Sequence, residues 1–247
     1  MDIRLGVAPI AWSNSDLPHL GGETTLETCL KESRAAGYSG TETGVKFPME
    51  AAVLGPILQA HHLQLVSGWF SGELLTHSVA QEKVRIEQQV ATFAALGAPV
   101  IVYAETSGSV QALQDTPVAN RPRLAEEDFA GYGRKLTDLA ENLAERGVAM
   151  AFHHHMGTVF ETEAEIDGLM ANTGPAVGLL LDTGHLTYAG DDVAATTRRH
   201  AGRINPVHCK DIRPDVLARA KAEDLSFLDA ILDGVFTVPG DGCIDFA

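Results

Sequence analysis

Cysteine is scarce in this chain of 247 residues: Cys29, Cys209 and Cys243 are the only three, an odd number, widely spaced. That excludes a disulfide framework and fits a reducing cytoplasm, the expected location. Basic residues are also scarce, 18 lysines and arginines against 33 acidic residues, giving a net charge of −15. A chain without a basic field is not expected to bind nucleic acid or an anionic membrane surface. Acidity places no bar on a neutral or cationic ligand. No apolar run approaches the roughly 18 residues that a membrane span requires. The opening "MDIRLGVAPIAW" has no charged segment followed by a long apolar stretch, so no signal peptide is expected. Pro/Gly/Ser linkers and low-complexity tracts are missing, and one domain is expected over 1–247. The composition, 45% hydrophobic and 21% charged, suits a soluble globular chain with one sizeable core.

What is present is a rhythm. Short apolar runs alternate with longer, polar-periodic segments. The runs predict strands over 3–10, 38–44, 63–70, 99–105, 148–155, 177–185 and 204–212. Between them, "TTLETCLKESRAAG", "AAVLGPILQAHH", "AQEKVRIEQQVATFAALG", "DFAGYGRKLTDLAENLAERG", "ETEAEIDGLMANTG" and "DDVAATTRRHAG" predict helices. Several close on a glycine placed as a helix C-cap, and "TTLE" and "TEAE" resemble capping boxes. Strands apolar on both faces, alternating with helices, predict a parallel sheet covered by helices. The first strand–turn, "GVAPIAWS", is not the glycine-rich phosphate cradle of a dinucleotide fold. Chemically capable residues sit at the C-terminal end of nearly every run. That is the signature of the catalytic face of a (β/α)8 barrel rather than of an open doubly wound sheet. Seven strands are counted where eight belong. After "FTVPGDGCIDFA" the chain stops, so a barrel truncated before its eighth strand is expected, with the C-terminal strand and helix missing.

The candidate site residues follow from those strand ends. Asp182 ends "LLLD" and His185 follows three residues later. A carboxylate after three leucines needs a ligand, a partner or hydrogen bonds; a helix N-cap is the plainer alternative. His208 and Asp211 repeat the pattern in "VHCKD", and the three histidines His153, His154 and His155 close an earlier run. Mixed imidazole and carboxylate donors suit Mn, Co, Zn or Fe. Alternation along a strand sends His153 and His155 one way and His154 the other; His154 is preferred at the metal or substrate. Glu42, Lys46, His154, His185 and Lys210 are the acid–base candidates. Asn14, Glu105 and Lys210 suit hydrogen bonding to hydroxyls. Trp12 and Trp69 offer a flat apolar wall or plain core filling. Cys209, beside His208, is not expected to act as a nucleophile.

"GVAPIAWSN", "AGYSGTETGVKFP", "LVSGWFSGELL", "HHHMGTVFET", "LLLDTGHLTYAGDD", "VHCKDIRPDV" and "FTVPGDGCIDF" together resemble the inosose dehydratases of myo-inositol catabolism, within the xylose-isomerase-like metal barrels. The resemblance spans essentially the whole chain. It implies dehydration of 2-keto-myo-inositol (scyllo-inosose) to a trihydroxycyclohexane-dione, with a divalent metal, Mn or Co, and an association with glutathione. It also implies that Asp182 and His208 are metal ligands. The slot that relatives fill with a glutamate on the fifth strand falls within His153–His155, and His153, His155 and Asp211 join the substrate-binding candidates. The glutamate ligand of the eighth strand has no counterpart, so an incomplete metal site and little turnover are expected. The implied partner is a small polyol or ketose, and a homo-oligomer is compatible. A sugar isomerase or epimerase with the same metal chemistry, and a polyol-binding barrel without turnover, are the rivals. A DNA-repair endonuclease of the same superfamily is disfavoured by charge.

Overall fold

The computed structural model describes residues 5–246. The seven apolar runs become seven parallel strands: β1 (Gly6–Val7), β2 (Gly40–Thr43), β3 (Gln64–Gly72), β4 (Val100–Glu105), β5 (Ala149–His153), β6 (Val177–Asp182) and β7 (Ile204–His208). They pair in sequential order, each with its neighbour in sequence. Residues 3 and 4 of the first predicted run lie outside the described residues. The connections are helical: α1 (Leu26–Ala35), α2 (Ala51–Ala60), α3 (Val79–Leu96), α4 (Phe129–Glu145), α5 (Glu163–Ala171), α6 (Thr183–Ala189) and α7 (Val193–His200). Strands β1–β5 and β7 all contribute residues to one interior cavity. Sequential parallel pairing around a common interior is the (β/α) barrel arrangement. Among the described residues, no eighth strand joins β7 to β1.

Two apolar layers explain why the central strands are hydrophobic on both faces. Between sheet and helices, Leu30, Leu54, Phe93, Leu136 and Leu143 pack on Ile101, Tyr103, Met150 and Phe152. Inside the sheet, Val100, Val102, Ala151 and Leu180 form a smaller cluster under Trp69. Each such large side chain contributes about 1.5–3 kcal/mol when fully buried. Helix α5 starts on the predicted capping box, Thr162 with Glu165. At α1, Thr25 rather than Thr24 is the cap, accepting from the Thr28 N–H.

Five of the seven predicted strands end early, β5 among them at His153, and two of these corrections matter most for the site. The run 177–185 leaves the sheet at Asp182, because Asp182 Oδ1 accepts the His185 N–H at 3.0 Å and starts α6. The run 204–212 ends at His208. Asp211–Ile212 forms a separate strand, β8, antiparallel to β9 (Phe236–Thr237). Between β8 and β9 lie α8 (Pro214–Ala222) and α9 (Phe227–Leu232). Phe227, Leu228 and Val235 from this excursion pack with Leu17, Met156 and Tyr188. The excursion thereby seats Phe227 and Phe236 at the C-terminal mouth of the sheet, where both line the cavity.

Candidate active site

The interior cavity measures about 2630 Å³ and runs from Gln64 and Asn205 at the N-terminal strand ends to the histidines at the C-terminal ends. A pocket for a small ring needs only about 300–1,000 Å³. Chemistry therefore belongs to the mouth, where the polar side chains converge.

Asp182 is the centre of that mouth. Its side chain is fully buried, and Oδ2 lies 3.5 Å from His153 Nε2 and 3.5 Å from His208 Nδ1, with the Lys210 ammonium in direct contact. Burial works against the charge, but Lys210 and then His185 hold the Asp182 carboxyl well below its ordinary range. His208 Nε2 meets Glu42 Oε1 at 3.0 Å, and the Ser67 hydroxyl donates to the same oxygen. Burial pushes His208 down and Glu42 up. Their mutual attraction overrides both effects, raising His208 and depressing Glu42.

His153, Asp182 and His208 each offer one donor atom, all within 4.8 Å of one another. The hydrogen bonds suit this set to a divalent metal. His153 Nδ1 faces the His154 carbonyl, which can only accept, so the proton sits on Nδ1 and Nε2 keeps a lone pair. His208 presents Nδ1 toward Asp182 while Glu42 holds Nε2, the carboxylate–imidazole support common behind metal ligands. Two imidazoles and a carboxylate are a borderline donor set for a first-row divalent ion.

Two further histidines complete the mouth. The ring centroids of His155 and His185 lie 4.0 Å apart. Both line the cavity. Burial first, and then neighbouring histidines, depress both well below the ordinary imidazole range, so both rings are neutral at pH 7. Trp69 packs edge-on against His153 and His155 at 5.6 and 5.4 Å. Phe227 and Phe236 pack on His185 at 5.7 and 5.2 Å. The result is a polar centre rimmed by aromatic faces.

The structure gathers Glu42, Trp69, His153, His155, Asp182, His185, His208 and Lys210, and it corrects the remaining candidates. His154 points away from the cavity and is fully buried. Its Nε2 accepts from the Asp182 N–H at 3.3 Å, Nδ1 has no partner among the described residues, and burial drives its pKa to about 3. Strand alternation thus selects His153 with His155. Lys46 is turned outward to the carbonyls of Gly21, Gly22 and Thr24. Trp12 donates to Glu32 at 2.6 Å on the exposed side of the first turn. Glu105 is buried outside the cavity and accepts from the Ser107 and Leu75 N–H groups. Asn14 lines the cavity, but its Oδ1 is taken by the Asp16 and Leu17 N–H groups. Asp211 accepts four backbone N–H groups, from Ile212, Gly240, Gly242 and Ile244, and so anchors the last loop rather than a ligand. Cys209 lines the cavity, and burial pushes its thiol up, away from a reactive thiolate. Ser67, Phe227 and Phe236 escaped the sequence reading. The two phenylalanines lie far along the chain, and only the aromatic placement in "LSFLD" and "GVFTV" hinted at them.

The same architecture recurs in known proteins. Residues 30–247 match the family described as xylose isomerase-like TIM barrel. The chain belongs to that family. It is 51% identical over 246 residues to the rhizopine catabolism protein MocC of Rhizobium meliloti, covering 100% of this chain and 76% of that protein. It is 42% identical to inosose dehydratase 2 of Bacillus cereus, covering 99% of this chain and 83% of that one. A solved structure of the IOLI protein with a zinc atom superimposes with a TM-score of 0.69 at 17% identity, covering 98% of this chain and 81% of that one. With such dehydratase relatives over nearly its whole length, the chain is an enzyme, a hydro-lyase. No helix among the described residues is long and apolar enough to cross a membrane.

Proposed function

We propose that the protein is a metal-dependent dehydratase that removes water from 2-keto-myo-inositol (scyllo-inosose) to give a trihydroxycyclohexane-1,2-dione. One observation carries the proposal: the His153–Asp182–His208 donor set opens onto an aromatic-rimmed cavity in a chain 42% identical to inosose dehydratases. A divalent ion bound there, manganese or cobalt on the sequence resemblance, would polarise the ketone and balance the charge left by the departing α-proton.

The chain's own residues supply the rest. Trp69, Phe227 and Phe236 give apolar faces for the C–H side of a hydroxylated ring. Lys210 supplies a cationic donor beside Asp182 for ring hydroxyls. Glu42 and Ser67 hold His208 in place. A neutral polyol has no need of a basic surface, in keeping with the net charge of −15.

The test is incubation of scyllo-inosose with the metal-loaded protein and mass analysis of the product. Loss of one water supports the proposal. An isomer of equal mass would replace it with an isomerase or epimerase. The higher identity to the rhizopine catabolism protein favours a second reading, a substrate from rhizopine breakdown. Competition between substrates in the same assay separates the two.

A further inference from the structure

Several uncharged polar side chains that line the cavity are already committed to the protein itself. Asn14 Oδ1 accepts the Asp16 and Leu17 N–H groups. The Thr106 hydroxyl donates to the Gly72 carbonyl, Gln89 Nε2 to the Trp69 carbonyl and Asn205 Nδ2 to the Met150 carbonyl. Gln111 stands apart. It lines the cavity on the segment that follows β4 and is only 9% exposed. Its Oε1 is shielded from bulk solvent and has no hydrogen-bond partner among the described residues. A buried acceptor in that condition is destabilising unless something else completes it.

The backbone fixes where this side chain starts. Val110 donates its N–H to the Gly157 carbonyl at 2.9 Å. Gly157 has a φ of +78°, and a Cβ there would stand 2.9 Å from the Gln111 nitrogen. Only glycine allows so close an approach in that conformation. Gly157 lies two residues beyond His155, which lines the same cavity. The turn that closes the histidine run therefore presses Gln111 against the mouth.

We infer that the Gln111 carboxamide reads a hydroxyl of the substrate ring and sets specificity for a fully hydroxylated ring over a deoxygenated one. The inference deepens the dehydratase reading and rests on it. Oε1 accepts the proton of a ring hydroxyl, with a turn of the side chain toward the cavity; no covalent bond changes. A carboxamide is uncharged and offers both an acceptor and donors, as a hydroxyl does, so it suits a neutral polyol. A site built around such a bond rejects an analogue that lacks the hydroxyl, because the acceptor then stays unpaired.

The experiment compares wild type with Gln111→Met, an apolar side chain of similar length, in the zinc-loaded full chain. The probes are scyllo-inosose and its single-deoxy analogues. Binding is read before turnover by stopped-flow fluorescence of Trp69, which lines the same cavity. Wild type should bind one deoxy analogue at least about tenfold more weakly than scyllo-inosose, and Gln111→Met should bind those two within about twofold of each other. Affinity of the variant for scyllo-inosose should itself fall about tenfold, with Tm unchanged or higher, since methionine removes an unpaired acceptor and breaks no bond. Wild-type affinity in Gln111→Met, the same discrimination in both proteins, or a lower Tm with discrimination intact would overturn the inference. Should Gln111→Met fail to fold, the side-chain amide signals of Gln111 in 15N-glutamine-labelled wild type decide: a shift with scyllo-inosose supports the contact, and silence overturns it. If wild type discriminates through Gln111 but releases no water, the dehydratase reading falls and the hydroxyl contact stands. If it binds none of the probes, both fall.

Discussion

Two buried ionic clusters in this molecule look alike in composition and differ in what they leave unused. The first surrounds Arg121, whose guanidinium is 2% exposed. It pairs with Glu161 and with both oxygens of Glu165, and it donates to the Thr158 and Val159 carbonyls. The Glu165 carboxylate also accepts the Glu161 and Thr162 N–H groups, and Glu161 accepts that of Gly157. The guanidinium and both carboxylates are spent on neighbours. The second cluster surrounds Asp182. There three cationic or potentially cationic groups face one oxygen, and His155 and His185 line the cavity beside them. A structural cluster exhausts its hydrogen-bonding capacity, because an unpaired buried charge is costly. A functional one keeps capacity in reserve for what it binds.

The largest effect should come from the closed cluster. Arg121→Met strands two carboxylates and should lower folding stability by about 3–5 kcal/mol in urea unfolding, with metal affinity of the folded fraction unchanged. The reverse pattern is expected at Asp182. Asp182→Asn keeps an oxygen to cap α6 but removes the charge, so zinc affinity by calorimetry should fall by about 100-fold or more, with stability shifting by only about 1 kcal/mol. If both variants lost stability and affinity equally, the distinction between the clusters would be gone.

A smaller effect concerns pH. Burial raises Glu165, but the Thr162 and Glu161 N–H groups and Arg121 outweigh it and hold its folded-state pKa below the ordinary value of 4.5. Its contribution is therefore present above that value and lost as pH falls through the depressed one. Glu165→Gln should lower Tm in the neutral portion of a Tm-against-pH curve and flatten its acid limb, the two proteins converging as pH falls through the depressed value. The smallest change is expected from Lys210→Met. Removing the ammonium from Asp182 frees that oxygen, and zinc affinity should rise by roughly tenfold, about 1.4 kcal/mol. An unchanged or weaker affinity would mean that Lys210 and the ion do not share Asp182.

How far the sequence revealed this can be traced residue by residue. Asp182, His208 and the histidine run were visible because they end apolar strands, where burial makes a polar side chain conspicuous. The barrel-like strand order was visible for a similar reason, since two buried faces leave near-continuous apolar runs. Which histidine enters the site was not visible: alternation divides His153 and His155 from His154 but does not say which face is interior. Lys46, Glu105 and Asp211 sat at equally suggestive positions, yet loop backbone claims their charges. Such claims depend on loop paths that no periodicity encodes. The same limit hid Phe227 and Phe236, which reach the mouth only through the excursion between β8 and β9.

The most direct test of the distinction is a crystal structure of the zinc-loaded protein with anomalous data at the zinc edge. One anomalous peak is predicted among His153 Nε2, Asp182 Oδ2 and His208 Nδ1, with Lys210 moved off Asp182 and the Arg121 cluster unchanged. A peak on His154, or an ion bound away from Asp182, would contradict the account.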